Sequence, residues 1–76
     1  MTKQKILEHL NYIEEKSQTY PYFIWSMVLI YIRQESELLK DDKLRIKLNM
    51  FCNNCELFEG LHDKLELLEL KRVLSK

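Results

Sequence analysis

Two cysteines and two histidines are the residues of this chain with the widest chemical repertoire. Cys52-x-x-Cys55, with His62 two turns further on and His9 near the start, offers two sulfurs and two nitrogens, the donor set of a tetrahedral zinc site. The surroundings argue against that use. The CxxC falls inside a helical apolar period, without the glycines of a zinc knuckle and without the helix N-terminus that lowers the pKa of a redox thiol. In a chain with no alanine, cysteine is the natural small core residue. The expectation is therefore that Cys52 and Cys55 pack, that His62 sits on an apolar seam, and that no metal or cofactor is bound.

Glu59-x-x-His62 is half of the carboxylate–histidine pattern of di-iron bundles, which also needs inward glutamates from neighbouring helices. Glu59 leans away, toward an acidic face made with Glu56, Asp63 and Glu66 at three-four spacing. A strip of this kind is either solvated, or docks on a basic partner or imitates nucleic-acid phosphates. Lys40, Lys43, Arg45 and Lys47 are interrupted by Asp41 and Asp42 and spread around their helix, so they make a poor nucleic-acid contact. No nucleophile–base or phosphate-loop pattern is present, and the chain is expected to have no catalytic residues and not to be an enzyme.

The elements that would position these groups are helices. Ile6, Leu10, Ile13 and Ser17 recur at helical spacing, giving an amphipathic helix over residues 3–17. Thr19-Tyr20-Pro21 ends it, because proline disfavours the helical region for its predecessor and suits the first turn of the next helix. A second helix is expected from about Pro21 to Leu39. Lys40-Asp41-Asp42 breaks the chain again, with Asp41 or Asp42 capping the next helix. From Lys43 onward two apolar seams run in parallel, one through Leu44, Leu48, Phe51, Cys55, Phe58 and His62, the other through Ile46, Met50, Leu57, Leu61 and Leu68. Two seams imply two packing neighbours, and Gly60 is where this stretch would bend or break.

The most telling segment is Tyr20 to Ile32, thirteen residues without a charge in a chain that is 32% charged. It is short of the ~17–25 apolar residues of a membrane span. Its polar strip is narrow, Ser26, Arg33 and Glu37 with Tyr22 above them, and Trp25, Val28, Ile32 and Leu39 form the centre of its broad apolar face. Such a helix needs cover on nearly every side, which 76 residues supply poorly. A domain of this size buries only about 60% of its unfolded surface and is commonly completed by oligomerisation. The expected contact between copies is Trp25, Val28, Ile32 and Leu39, with Tyr20 and Tyr22 facing outward toward another protein beside the acidic Glu56, Glu59, Asp63 and Glu66.

The sequence thus predicts one all-α domain over 1–76, an up-down bundle of three helices, or four with a break near Gly60, completed by a homodimer. Balanced charge, twelve basic against twelve acidic residues, removes the main drive toward nucleic acid. With two cysteines and no secretory leader, the chain reads as a reduced, cytoplasmic protein. Nine lysines against three arginines, with no alanine, suit an AT-rich bacterial or phage genome. The implied function is non-catalytic protein binding, as a small regulator, inhibitor, adaptor or secretion-type chaperone. A helical immunity-type or peripheral membrane-associated protein is the alternative. Glu59-Gly60-Leu61-His62-Asp63 resembles a short stretch of the second helix of the Rop family of plasmid RNA-binding four-helix dimers, and the opening Met1-Thr2-Lys3-Gln4 is similar too. The first helix, where that family's RNA face lies, does not match. The resemblance implies, as a third reading, a dimeric nucleic-acid-binding helical hairpin.

Overall fold

The computed structural model describes residues 2–76 and contains five helices: α1 Thr2–Lys16, α2 Tyr22–Trp25, α3 Val28–Ser36, α4 Asp42–Phe58 and α5 Lys64–Leu74. Among the described residues there is no strand. The extra helices relative to the sequence reading come from two interruptions, each with a local cause.

The first divides the expected Pro21–Leu39 helix. Pro21 takes the extended N-cap conformation, φ −67° and ψ 162°, and α2 begins after it. At Ser26 and Met27 the backbone stays right-handed, but the hydrogen bonds tighten: Leu29 N–H donates to the Ser26 carbonyl at 3.0 Å and Ile30 N–H to that of Met27 at 3.1 Å. The Ser26 hydroxyl donates to the Phe23 carbonyl at 3.4 Å, an alternative partner that bends helices. The outcome is a short 3₁₀-like waist and a continuing path.

The second interruption is near Gly60, and the residue that makes it is Glu59. Glu59 adopts the left-handed conformation, φ 50° and ψ 47°. Gly60 N–H then reaches back to the Cys55 carbonyl at 3.0 Å and Glu59 N–H to that of Glu56 at 3.3 Å, the two bonds of a Schellman cap. The glycine stands one residue past the position that usually demands it, and its own φ is not positive. Asp41 caps α4 by accepting from Leu44 N–H at 3.1 Å, and Asp63 caps α5 by accepting from Leu65 N–H at 2.9 Å.

Four packing units close into a cycle: α1 against the α2–α3 pair, α3 against α4, α4 against α5, and α5 back against α1. The inward stripes fill its centre. Ile6, Leu10 and Ile13 come from α1, and Trp25, Leu29 and Ile32 from α2–α3. Leu44, Leu48, Phe51, Cys52 and Cys55 come from α4, and Leu67, Leu70 and Leu74 from α5. Ser36 is the one buried polar residue among those described, and its hydroxyl is satisfied by the Arg33 carbonyl at 2.8 Å. Three of the four contacts between units carry a polar pair. Arg33 holds Glu56 and Asn53 between α3 and α4, Lys71 pairs with Glu14 between α5 and α1, and between α1 and α3 His9 Nε2 faces Glu35 Oε1 at 3.1 Å, both atoms buried and not hydrogen-bonded. No helix of the described residues is long and apolar enough to cross a membrane.

Candidate partner-binding surface

The residues expected to meet a second copy are largely used within the chain. Trp25 is 2% exposed, Ile32 0% and Leu39 8%, all inside the chain's own core, and Val28 packs against that core half-buried. The broad apolar face does exist, but one chain suffices to cover it. The four-unit cycle, with α5 packed on both α4 and α1, encloses the inward side of α2–α3, which three helices in a row would leave open.

That burial leaves a second apolar face outside, which the sequence reading does not single out. On the opposite side of the same segment Phe23, Met27 and Ile30 are 73, 63 and 50% exposed, and Leu38 continues the line; Ile24 and Tyr31 flank it toward α1. Phe23, Met27, Ile30, Gln34 and Leu38 keep a spacing of four, three, four and four; Ile30 and Gln34 share one face of α3, Met27 sits at its start, and Phe23 and Leu38 prolong the line across the waist and past Ser36. The signal is present as the absence of a charge at any of these positions. It is masked because the inward positions are equally apolar, and periodicity cannot separate two apolar faces of one helix.

The expected outward tyrosines divide. Tyr20 is exposed in the turn before α2, with Lys16 Nζ 5.4 Å from its ring centre and 5.8 Å from that of Tyr12. Tyr22 is instead half-buried, packed edge-on against Trp25 at 5.1 Å between ring centres. Burial is the main cause raising its hydroxyl pKa, and the nearby Glu56 adds to it. It is a bracket for the tryptophan more than a free anchor.

The acidic strip is broken up by the Schellman turn. Glu56 is drawn to Arg33, whose hydrogen bond holds its carboxyl below the usual value; Glu59 supplies the left-handed cap, Asp63 caps α5, and Glu66 lies in the first turn of α5. Two of the four carboxylates are thus engaged within the chain, Glu56 by Arg33 and Asp63 as a cap, and Glu59 serves the turn through its backbone alone. Of the basic cluster Arg45 is engaged locally, pairing with Asp42 and donating to the Leu39 carbonyl at 2.6 Å, while Lys40, Lys43 and Lys47 are exposed.

Cys52 and Cys55 are free thiols in the core. Burial pushes Cys52 up to about 12 and Cys55 up to about 11, the opposite of what a nucleophile or metal ligand needs. His62 stacks on Phe58 with ring centres 4.0 Å apart, whereas His9 faces Glu35 between α1 and α3. The His62 backbone comes to the Cys55 thiol while its ring lies on Phe58, His9 stands apart between α1 and α3, and among the described residues no three of His, Cys, Asp and Glu converge as a metal site would require.

The second apolar seam also remains on the surface. Ile46, Met50 and Leu57 of α4 and Leu65 and Leu68 of α5 are exposed, and Leu61 alone of the expected seam packs on the core. Phe58 and His62 leave the first seam because α4 ends at Phe58. Between α4 and α5, the contact without a polar pair, a groove of about 330 Å³ is lined by Lys47, Met50, Glu66, Glu69 and Leu70. Its floor is apolar and its walls carry opposite charges. Comparison with known proteins returns no match, in a protein family, a curated protein or a solved structure.

Proposed function

We propose that this chain is a non-catalytic protein-interaction protein, a small regulator, inhibitor, adaptor or secretion-type chaperone that acts by covering a partner's surface. The observation that carries the reading is the outward apolar line Phe23, Met27, Ile30 and Leu38, left uncovered after the chain has filled its own core. Large exposed apolar patches on small domains mark association sites. The buried thiols with raised pKa values fit a packing role and leave catalysis without its most reactive groups. Up-down connectivity is supported by the three short connections and by the register of α3 on α4, where the Leu39 carbonyl meets Arg45 and the Leu29 carbonyl meets Cys52.

The test is affinity capture from the native host with identification by mass spectrometry, comparing the unaltered chain with Phe23→Glu and Leu57→Glu, one on each exposed apolar face. A stoichiometric protein lost with either variant is expected. Recovery of nothing beyond background with the unaltered chain, in cells where it is expressed, contradicts the reading.

A further inference from the structure

We propose that the outward face of α2–α3 is the contact between two copies of this chain, and that the α4–α5 groove is thereby left for a different partner. The inference rests on the protein-interaction reading and places the self-contact opposite to the face expected from the sequence.

The area fits. Phe23, Ile24, Met27, Ile30, Tyr31 and Leu38 are between 45 and 73% exposed. A large side chain presents roughly 150–250 Å² when free, so these six offer on the order of 600 Å² per copy. That is at the upper limit of what monomers leave open, about 300–600 Å². Tyr12 and Tyr20, brought together around Lys16, lie on the α1 flank, where His9 stacks on Tyr31 at 6.0 Å and Tyr12 comes one turn later. With them the face approaches the ~800 Å² that each partner contributes to a stable interface of standard size.

The charge pattern chooses the occupant. The line Phe23, Met27, Ile30, Gln34 and Leu38 carries no ionisable group; exposed Glu37 stands at its far end, seven residues past Ile30, and an antiparallel two-fold pairing about Met27 sets the two Glu37 carboxylates at opposite ends of the contact. An anionic bilayer would require free cations around the apolar line. Here Arg33 is held by Glu56 and Asn53, and Lys16 lies 3.8 Å from Glu15 and over two tyrosine rings; exposed Lys40, two residues past Leu38, is left at one end, short of the basic surround that such a helix carries. The α4–α5 groove differs in kind, with Lys47 on one wall and, on the other, Glu66 and the Glu69–Arg72 pair. Patterned opposite charges discriminate among partners and suit a heterologous contact.

The experiment is sedimentation equilibrium from ~1 to ~100 µM on the unaltered chain, Met27→Glu and Met50→Glu, with circular dichroism on each. Both methionines are more than half exposed, and neither substitution enters the core. The unaltered chain and Met50→Glu are expected to give twice the 9.3 kDa chain mass, and Met27→Glu the single mass with unchanged helicity. Placing a carboxylate in the apolar contact should weaken the dimer at least about a hundredfold. Should Met27→Glu lose its fold, Ile30→Lys, on the same line, takes its place. A monomeric unaltered chain at 100 µM, a Met27→Glu dimer, or dissociation by Met50→Glu in place of Met27→Glu overturns the proposal. Co-sedimentation of a monomeric unaltered chain with phosphatidylglycerol vesicles, lost in Met27→Glu, would also overturn it and assign the face to a bilayer. Failure of the dimer with capture of a partner intact would leave the protein-interaction reading standing.

Discussion

The two sides of the Tyr22–Leu39 segment have the same kind of residue and opposite fates. Trp25, Leu29, Ile32 and Leu39 disappear into the core, while Phe23, Met27, Ile30 and Leu38 stay in water. The inward set contributes to folding, since each large side chain removed from water stabilises the chain by roughly 1.5–3 kcal/mol. The outward set contributes nothing to the folded monomer that its solvated form would not, and the contact proposed above is what would give its apolar character a role. Composition is thus a poor guide to role, and burial separates the two.

The largest contrast should appear on truncation. Trp25→Ala is expected to cost about 3–5 kcal/mol, much of the stability of a domain this size, and Phe23→Ala less than about 0.5 kcal/mol at concentrations where the chain is monomeric. Urea denaturation followed by circular dichroism checks both, and comparable losses would erase the distinction. Reactivity sharpens it further: Cys52 and Cys55, with pKa values pushed to about 12 and about 11, should react with a thiol reagent at pH 8 at least about a hundredfold more slowly in the folded chain than in urea. A chelator should change neither that rate nor the helical signal. Rapid labelling of the native chain, or unfolding in chelator, would contradict the packing role.

The same pair of faces marks how far the sequence is legible. The α1 core residues Ile6, Leu10 and Ile13 can be read from it, as can a cap at Asp41 or Asp42 and a bend or break near Gly60, because each is a local pattern; the choice of Asp41 and of a full break is made by the fold. The Ser26–Met27 waist cannot, since a hydroxyl donating to a carbonyl three residues back leaves little trace in hydrophobic periodicity. Nor can the choice of inward face, which depends on α1, α4 and α5 enclosing that side of α2–α3. Tyr22 departs from expectation for that reason: its position above the polar strip is real, but that strip faces α4, where Glu56 closes over it through Arg33.

Smaller effects test the polar edges of the two faces. Glu59→Gly should stabilise the chain by about 1 kcal/mol, because glycine takes the left-handed cap without the Cβ penalty that Glu59 bears. Gly60→Ala should be neutral or mildly stabilising, as the added methyl carbon meets only the Phe58 carbonyl oxygen at 3.9 Å. A large loss from either, in thermal melts, would show that the turn is held differently.

Smallest is the Arg33–Glu56 clasp beside the outward face. Arg33 depresses the Glu56 pKa in the folded chain, so its stabilisation is present above the unfolded value near 4.5 and is lost as pH falls through the lower folded value. Both groups are substantially exposed, which limits the effect to about 0.5 kcal/mol or less. Glu56→Gln should remove that part of the acid sensitivity and leave stability at neutral pH almost unchanged, as read from denaturation midpoints between pH 3 and 7. A loss above about 2 kcal/mol at neutral pH would mean that the clasp, and not the buried stripe, holds α3 on α4.

The claim that the outward face of α2–α3 is a contact surface is tested most directly by peroxide oxidation of Met27 and Met50, with mass spectrometry at ~1 and ~100 µM chain. The two side chains are comparably exposed in the single chain, so each serves as the other's reference. Oxidation of Met27 is expected to slow several-fold at the higher concentration while that of Met50 does not change. Equal rates for Met27 at both concentrations, or slowing at Met50 alone, would contradict the account.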